Sequence, residues 1–312
     1  MTEDPRTYYI LMIVAMFFWG GSWVSAKIIV AMAPPLTIGF FRFLIAGILF
    51  ALLLPAMDVK PWKLINRDNV KILFLAGLTG VFGYGVLFLT GMRFTTAAQG
   101  SIIAGFNPAS VSLFAHIIHG ERLSRRWQYS GFALAFAGVV FVVGVQALID
   151  FQLEHLVGNL IIAGAMLMWG LYSSIGKEAM KTMSATEVTA GGVVFGCVLF
   201  GLGALTEEVW SLPALYDPIF WINVLYLGAL VTFVAFLFYF ESIKNLGATR
   251  TGGFINLVPV FGTMLSVLIL HEQIYWTFVL GIALVILGIV TINLQTRNAQ
   301  RAADSAGHPE DR

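Results

Sequence analysis

Long apolar stretches separated by short polar segments run along almost the whole chain. Stretches such as 8–30 and 128–145 approach or exceed the roughly 20 residues that a helix needs to cross a hydrocarbon core. In lipid every backbone N–H and C=O needs an internal partner, and the alternating pattern of a membrane barrel is absent, so we expect helices. The pattern predicts an all-α integral membrane protein with ten transmembrane helices, at 8–30, 37–55, 70–90, 96–119, 128–146, 157–176, 185–205, 219–241, 248–270 and 275–294.

One sequence pattern occurs twice. The stretch FNPASVSLFAHIIHGE at Phe106–Glu121 returns as LVPVFGTMLSVLILHE at Leu257–Glu272. Its proline and its final glutamate recur at one offset, because 259 − 108 and 272 − 121 both equal 151. At an offset of 150, Trp19-Gly20 pairs with Trp169-Gly170. The chain is therefore predicted to be a tandem duplication. The two predicted five-helix copies are 8–146 and 157–294.

Positively charged residues are spread unevenly over the predicted loops. With the N-terminus inside, all lysines and arginines except Lys27, Arg42 and Arg93 fall on cytoplasmic segments, as the positive-inside rule requires. Both termini are thus predicted to be cytoplasmic. The tails are 1–7 and 295–312, and the second is expected to be disordered because it is polar and aperiodic.

The number of helices in each copy has a consequence for orientation. Five is odd, so the second copy is predicted to cross the membrane inverted relative to the first. Inverted repeats are the architecture of secondary transporters, whose substrate site lies near the bilayer midplane between the repeats. The topology alone therefore favours a transporter over a membrane receptor or scaffold.

The composition supports the membrane assignment and argues against other classes of function. Hydrophobic residues make up 58% of the chain and charged residues 11%, whereas soluble proteins have about a quarter charged residues. A net charge of +1 argues against a nucleic-acid partner. The sequence has no HExxH, GxSxG or GxxxxGK[ST] pattern, and its two His/Glu pairs fall on opposite sides of the membrane. We expect no catalytic residue, no metal site and no cofactor. The expected partners are a small-molecule solute and the lipid bilayer.

The first and sixth predicted helices carry matched aromatic and polar residues. Tryptophan is usually found at the membrane interface, yet one tryptophan of each set lies near the centre of its span. An indole offers an apolar face and one N–H donor, which suits a pocket for an amphipathic solute, although simple packing between helices is the alternative. The candidate substrate-binding residues of this pattern are Trp19, Ser22, Trp23, Trp169, Tyr172 and Ser173.

Uncharged polar side chains and two prolines occur inside other predicted helices. The polar candidates for substrate binding are Tyr84, Gln99, Asn107 and Asn256, but buried polar groups also hold membrane helices together. Pro108 and Pro259 are repeat mates expected near the middle of the fourth and ninth helices, where each would kink the helix. The kinks are interpreted as hinges beside a cavity, or alternatively as harmless curvature.

Arg42 is the most unusual residue, because it lies about a turn and a half inside the second predicted helix. A guanidinium in the membrane is costly and marks a functional site by default. Two interpretations stay open: Arg42 extends to the outer surface or pairs with Glu272 or another outer acid, or it holds a substrate carboxylate. Glu187 and Glu241 lie near cytoplasmic helix ends, where helix caps are expected. The sequence thus gives no strong sign of proton coupling.

Small residues repeat in the fifth and tenth predicted helices. Gly131 and Gly138 lie seven residues apart, as do Gly281 and Gly288, so each pair occupies one helix face. Small residues let membrane helices approach closely. These two helices are therefore expected to form a scaffold or a homodimer interface, and not the transport path.

Several motifs resemble the EamA family of the drug/metabolite transporter superfamily. They are WGGSWVSAK at Trp19–Lys27, FFRFLIAG at Phe40–Gly47, the stretch Asn107–Val139, and VPVFGTMLSVLILHEQI in the second copy. The resemblance covers nearly the whole chain. It implies a ten-helix permease of the cell inner membrane, both termini inside, most often exporting amino acids or related metabolites. In pocket character the aromatic amino-acid exporters of the YddG type are the most similar, because of Trp19, Tyr84 and Trp169.

The second copy departs from the family pattern. It has no arginine in its second helix, and it carries EQIY in place of ERLS. The central glutamate that four-helix multidrug exchangers of the superfamily use in their first helix is also absent, which argues against exchange of organic cations for protons.

The resulting hypothesis is export of a small amphipathic metabolite, an amino acid foremost, by alternating access through a cavity between the repeats. Trp19 and Trp169 would line the cavity, Asn107 and Asn256 would bind the polar end, and Arg42 would favour carboxylates. Two alternatives remain: a lipid or polyprenyl-linked sugar translocase, and a non-transporting membrane sensor.

Overall fold

The computed structural model describes residues 5–53, 66–120, 153–246 and 253–288, together with residues 130, 131, 133, 134, 137, 138, 141, 290 and 291. The described residues form helices joined by short turns, without a strand. The helices are α1 (Pro5–Ile29), α2 (Pro35–Leu53), α3 (Arg67–Ala76, Gly77–Gly83 and Tyr84–Phe94 in succession), α4 (Ala97–Ala104 and Asn107–His119), α5 (Leu153–Ala179), α6 (Ala185–Ala204), α7 (Pro218–Leu225, Tyr226–Val234 and Ala235–Leu246 in succession), α8 (Leu257–Leu270) and α9 (Trp276–Gly288).

Helices α1 to α7 are each long and apolar enough to cross a membrane, whereas α8 and α9 are shorter apolar helices. They coincide with nine of the ten predicted spans, with ends that differ by a few residues. The main difference is at α8, where a 3-10 turn, Gly253–Asn256, precedes an α-helix that begins only at Leu257. The predicted span at 128–146 and the tail at 295–312 lie largely or wholly outside the described residues.

The fourth span is broken, and the break explains the position of its proline. Ala97–Ala104 ends in a turn at Gly105 and Phe106, and a second helical segment starts at Asn107. Pro108 therefore lies in the first turn of a new segment, where a residue without an N–H costs no hydrogen bond. Pro259 lies similarly, as the third residue of α8. Both prolines were expected in mid-helix; instead they follow interruptions of the α-helix.

The third helix of each copy contains a π-helical segment at the same place. The segments are Gly77–Gly83 in α3 and Tyr226–Val234 in α7, and Gly77 and Gly228 are repeat mates, since 228 − 77 equals 151. A π segment widens the helix and is frequent at functional sites. A Cβ on Gly77 would lie 2.8 Å from the carbonyl oxygen of Gly192 in α6. A Cβ on Gly228 would lie 2.7 Å from that of Arg42 in α2. Each π segment thus packs closely against the other copy.

The two copies interlock through their first helices. Helix α1 packs along α8 and α7 of the second copy, and α5 packs along α3 and α4 of the first. The repeated Trp-Gly motif supplies the contact points. A Cβ on Gly20 would lie 2.6 Å from Cβ of Phe261, and a Cβ on Gly170 would lie 2.6 Å from the backbone of Ser110. Only glycine allows these helices to approach so closely.

Glycines of the fifth and tenth predicted helices contact each other within the protein. A Cβ on Gly138 would lie 2.8 Å from the carbonyl oxygen of Gly281 in α9. This contact fits the scaffold interpretation for that pair. The homodimer interface stays a prediction.

Candidate functional site

A cavity lies where the two copies meet. Its volume, counted as the space that the centre of a water molecule can occupy, is about 40 Å³. Both copies contribute to it, α2 and α3 from the first and α5, α6 and α7 from the second, and most lining residues lie in the central turns of their helices. The lining residues are Arg42, Phe43, Gly80, Val81, Tyr84, Trp169, Tyr172, Thr189, Val193, Thr232 and Phe236.

Arg42 is the only formal charge among these lining residues, and it is buried with a 7% exposed fraction. Its Nε donates to the hydroxyl of Thr232 at 3.1 Å. Thr232 in turn donates to the carbonyl oxygen of Leu227, five residues earlier, within the π segment of α7. The guanidinium carbon also lies 4.9 Å from the ring centroid of Phe43. Among the described residues no carboxylate forms an ion pair with Arg42.

Arg42 does not pair with Glu272 and is buried instead of extending to the surface, whereas a pair with another outer acid stays a prediction. Glu272 accepts hydrogen bonds from the backbone N–H groups of Ala97 and Ala98, at 2.8 and 2.9 Å, and so caps the start of α4. A carboxylate is stabilised there by the unpaired N–H groups of the first turn and by the helix dipole. Glu272 is therefore a helix cap, and it forms no ion pair with Arg42 among the described contacts.

Five aromatic residues line the cavity: the three predicted residues Tyr84, Trp169 and Tyr172, and two further rings, Phe43 and Phe236. Trp169 has its ring centroid 5.3 Å from that of Tyr84, 5.5 Å from Tyr172 and 6.3 Å from Phe236. Tilted arrangements at such distances are the favourable ones for aromatic pairs. The cavity thus joins one buried cation to a wall of aromatic rings. That combination matches an amphipathic solute with an anionic end.

Trp19 lies beside this cavity without lining it. Its Nε1 donates to the carbonyl oxygen of Val231 at 3.2 Å, and its ring lies 5.3 Å from Phe236 and 5.2 Å from Tyr239. Trp19 therefore supports Phe236, which does line the cavity. Its repeat mate Trp169 lines the cavity directly.

The remaining predicted residues of α1 and α5 are engaged in local contacts. Ser22 donates to the carbonyl oxygen of Trp19 at 2.6 Å, and Ser173 donates to that of Trp169 at 2.8 Å. Trp23 is 2% exposed and packs against Phe88 with ring centroids 4.8 Å apart. The structure therefore gives Trp23 a packing role.

Gln99 lies in a separate buried network. The amide nitrogen of Asn159 and the hydroxyl of Thr95 both donate to Oε1 of Gln99, at 2.6 and 3.2 Å, and Thr95 also bonds to Asn159. The ammonium of Lys27 donates to the carbonyl oxygens of Met92 and Thr95. This network joins α1, α3, α4 and α5, and it is not part of the cavity.

The structure describes the side chain of Asn107 and only the backbone of Asn256. Oδ1 of Asn107 is buried and has no hydrogen-bond partner among the described residues. Asn107 begins the second segment of α4, next to Pro108, but it does not line the cavity. Asn256 ends the 3-10 turn before α8, and its side chain lies outside what is described.

The other membrane acids act as helix caps or surface groups. Glu187 forms a capping box with Ser184 at the start of α6, as expected for a helix cap. Glu207 accepts from the backbone N–H groups of Leu36 and Thr37 and so caps α2. Glu241 is exposed and pairs with Asn245. The described residues include no cluster of potential metal ligands.

Sequence reasoning missed several lining residues, of which Gly80, Thr189 and Phe236 matter most. Glycine and phenylalanine are common throughout apolar helices, so neither residue type is distinctive. Thr189 was detectable as a hydroxyl inside a span, like Thr232. The position of all three depends on which helix face meets the other copy.

The repeated sequence pattern and the apolar helices agree with a comparison against known families. The EamA-like transporter family matches residues 6–144 and again residues 156–294. The chain belongs to the EamA-like transporter family. The family matches each predicted copy separately, which fits a two-repeat architecture, and this EamA-like protein is a multi-pass membrane protein.

Relatives of this EamA-like chain are named as transporters. The Bacillus subtilis (strain 168) protein named "Uncharacterized transporter YyaM" is 29% identical over 288 residues, covering 91% of this chain and 92% of its own length. "Uncharacterized transporter YetK" of the same strain is 28% identical, with 90% and 85% covered. A protein of Archaeoglobus fulgidus named "Uncharacterized transporter" is 25% identical, with 91% and 94% covered. A solved structure described as "Crystal structure of protein" has a TM-score of 0.64 at 21% identity, covering 94% of this chain and 99% of that one, and shows the same fold.

Proposed function

We propose that this protein exports a small amphipathic solute with a carboxylate group, an amino acid foremost, by alternating access through the cavity between its two copies. The observation that carries the proposal is Arg42, a buried cation without a described carboxylate partner in a cavity walled by aromatic rings. Membership of a transporter family supports flux in preference to sensing.

The energetics of Arg42 favour an anionic ligand. An arginine at the centre of a membrane helix costs about 2.5–3.5 kcal/mol on insertion scales, and a guanidinium has five N–H donors. Only the Nε bond to Thr232 is found among the described partners. A carboxylate would accept two parallel hydrogen bonds from the terminal nitrogens, the strongest geometry available to this pair. The site is thus better satisfied with a carboxylate bound than without one.

The orientation in the membrane belongs to the same proposal. Ten helices as two inverted five-helix repeats, with both termini cytoplasmic, would put the cavity near the midplane of the cell inner membrane. The interruptions before Pro108 and Pro259 would act as matched hinges as the cavity changes its open side. Asn107 follows the first interruption and Asn256 ends the second, and both would contact the polar end of the solute during that change.

The test is uptake into proteoliposomes with a panel of L-amino acids, with and without an imposed pH gradient. We expect saturable flux of at least one amino acid, and comparison of the gradients reports whether protons are coupled. Arg42→Gln should lower kcat/KM by at least about tenfold, because the carboxylate loses its charged partner. Arg93→Gln removes the same charge from an exposed site outside the cavity and should stay within about twofold.

Three results would reject the proposal. Wild-type vesicles with no flux but saturable amino-acid binding would indicate a sensor. Movement of labelled lipid or polyprenyl-linked sugar, with no competition by amino acids, would indicate a translocase. Equal flux in wild type and in correctly inserted Arg42→Gln would remove the anion site.

A further inference from the structure

Helices α3 and α5 make an unusually close contact at the cavity, between Gly80 and Tyr172. A Cβ on Gly80 would lie 2.2 Å from both Cγ and Cδ2 of Tyr172 and 2.8 Å from Cε2. The ring of Tyr172 therefore lies flat on the backbone of the π segment in α3. Both residues line the cavity, so the width of the cavity at this point depends on how far the ring can withdraw toward residue 80.

The position of the Tyr172 ring is fixed on its other sides as well. Thr189 of α6, which also lines the cavity, lies beside its hydroxyl, and its ring centroid lies 5.5 Å from that of Trp169. The atoms nearest to Gly80 are Cγ and Cδ2, near the root of the side chain and not at a flexible end. A methyl group on residue 80 would force the whole ring away from α3, and the free space beside the ring is the cavity.

At the equivalent positions of the other repeat pairing, the large and the small side chain are exchanged. The repeat mate of Gly80 is Val231, since 231 − 80 equals 151, and the mate of Tyr172 is Ser22, since 172 − 22 equals 150. One copy thus combines a glycine with a large ring, and the other combines a valine with a small hydroxyl side chain. Val231 is buried and its carbonyl accepts the hydrogen bond of Trp19. Of these four residues, Gly80 and Tyr172 line the cavity, whereas Val231 and Ser22 do not.

We infer that Gly80 is a specificity-determining residue of the transporter, because it sets the largest solute side chain that the cavity accepts. The inference rests on the proposed function and extends it. Arg42 would hold the carboxylate, and the Tyr172 ring, withdrawn onto Gly80, would leave room for the side chain of the solute. Gly80 itself acts through its missing side chain and needs no direct bond to the solute.

The experiment measures kcat/KM for L-phenylalanine and L-alanine in proteoliposomes, and reports their ratio for each variant. Gly80→Ala should lower the phenylalanine-to-alanine ratio by about tenfold, the effect of about one methylene in an apolar pocket. Tyr172→Ser should raise the ratio, and Gly80→Ala combined with Tyr172→Ser should return it toward the wild-type value or above. Gly164→Ala is the matched control on α5, because its Cβ would meet only Leu87 Cδ1, at 3.6 Å.

The ratio separates specificity from folding. A purely structural role of Gly80 would lower flux of both amino acids equally and leave the ratio unchanged, which would overturn the inference. Binding of the same two amino acids in detergent, followed by ligand-dependent thermal stabilisation, keeps the test independent of flux. Size-dependent binding without flux would reject the proposed function and support the role of Gly80. No binding of either amino acid to the wild type would reject both.

Discussion

At the scale of single residues, Arg42 differs from Lys27 and Arg93, the two other basic residues that are predicted to lie outside the cytoplasmic segments. Lys27 donates to the carbonyl oxygens of Met92 and Thr95, and Arg93 is exposed. The charge of Arg42 is buried and bonded through Nε to Thr232 alone among described donors and acceptors. A residue held in this way is available to a ligand.

Arg42→Lys tests whether geometry or charge alone matters. Lysine keeps the charge but presents a point charge in place of a planar fork, and it cannot donate two parallel hydrogen bonds. We expect kcat/KM for the transported amino acid to fall to a value between those of wild type and Arg42→Gln, with KM carrying most of the change. The measurement is initial uptake at a range of concentrations. A variant as active as wild type would show that no bidentate contact forms.

Trp19 and Trp169 are repeat mates with different surroundings, so their truncations should differ. Trp169→Ala removes a wall of the cavity and should raise KM by about tenfold or more, as loss of an aromatic anchor does. Trp19→Ala removes the hydrogen bond to Val231 and the support of Phe236. It should mainly lower the midpoint of thermal unfolding, with a smaller change in KM. Equal KM effects in both variants would contradict this assignment.

The sequence predicted which residue types could bind a solute better than it predicted where each residue lies. Arg42, Tyr84, Trp169 and Tyr172 were expected at a solute site, and all four line the cavity. Gln99 was expected there on the same grounds, yet it bonds to Thr95 and Asn159 elsewhere. A polar side chain in a span must find a partner, but the sequence does not say whether the partner is a solute or another helix.

At the scale of elements, the glycine of the Trp-Gly motif determines how closely the first helix of each copy approaches the other copy. Gly170→Ala would place a methyl group 2.6 Å from the backbone of Ser110, and backbone cannot move aside as a flexible side chain can. We expect a loss of about 1–3 kcal/mol in the free energy of unfolding, typical of overpacking. Denaturant titration in detergent measures it. Gly164→Ala on the same helix is the control, and a similar loss there would contradict the explanation.

Glu272 links the copies by capping α4 from the end of α8. Glu272→Ala leaves the N–H groups of Ala97 and Ala98 without their acceptors. Loss of a cap costs about 0.5–2 kcal/mol of stability, and a lower thermal midpoint should report it. Glu208→Gln changes an exposed acid outside this contact and should leave the midpoint nearly unchanged. A stable Glu272→Ala protein would show that water replaces the cap.

The helices themselves were predictable because apolar length is a strong signal, whereas their interruptions were not. The π segments Gly77–Gly83 and Tyr226–Val234 could not be predicted, because a wider helical turn requires no distinctive residue type. Pro108 and Pro259 indicated a break, but its place, just before each proline, follows from where a missing N–H is tolerated.

At the scale of the whole molecule, the repeat explains most of what the sequence could predict. Two copies of one sequence pattern predict two copies of one fold. The equivalent helix contacts agree with this, because α1 packs on α8 as α5 packs on α4. The cavity could not be placed in the same way, because it arises where the copies differ. Arg42 has Gly192 as its mate, and Tyr172 has Ser22. A one-sided site within a symmetric frame is what a solute with distinct ends requires.

The predicted inverted orientation of the two copies can be tested directly. Ala31 and Lys181 are exposed repeat mates, since 181 − 31 equals 150, and each follows the first helix of its copy. In a Cys197→Ser background, Ala31→Cys should react with a membrane-impermeant maleimide on intact cells, because its loop is predicted outside. Lys181→Cys should react only after permeabilisation. Labelling of both from one side would mean that the copies run parallel, and alternating access by exchange of two mirrored halves would then have no structural basis.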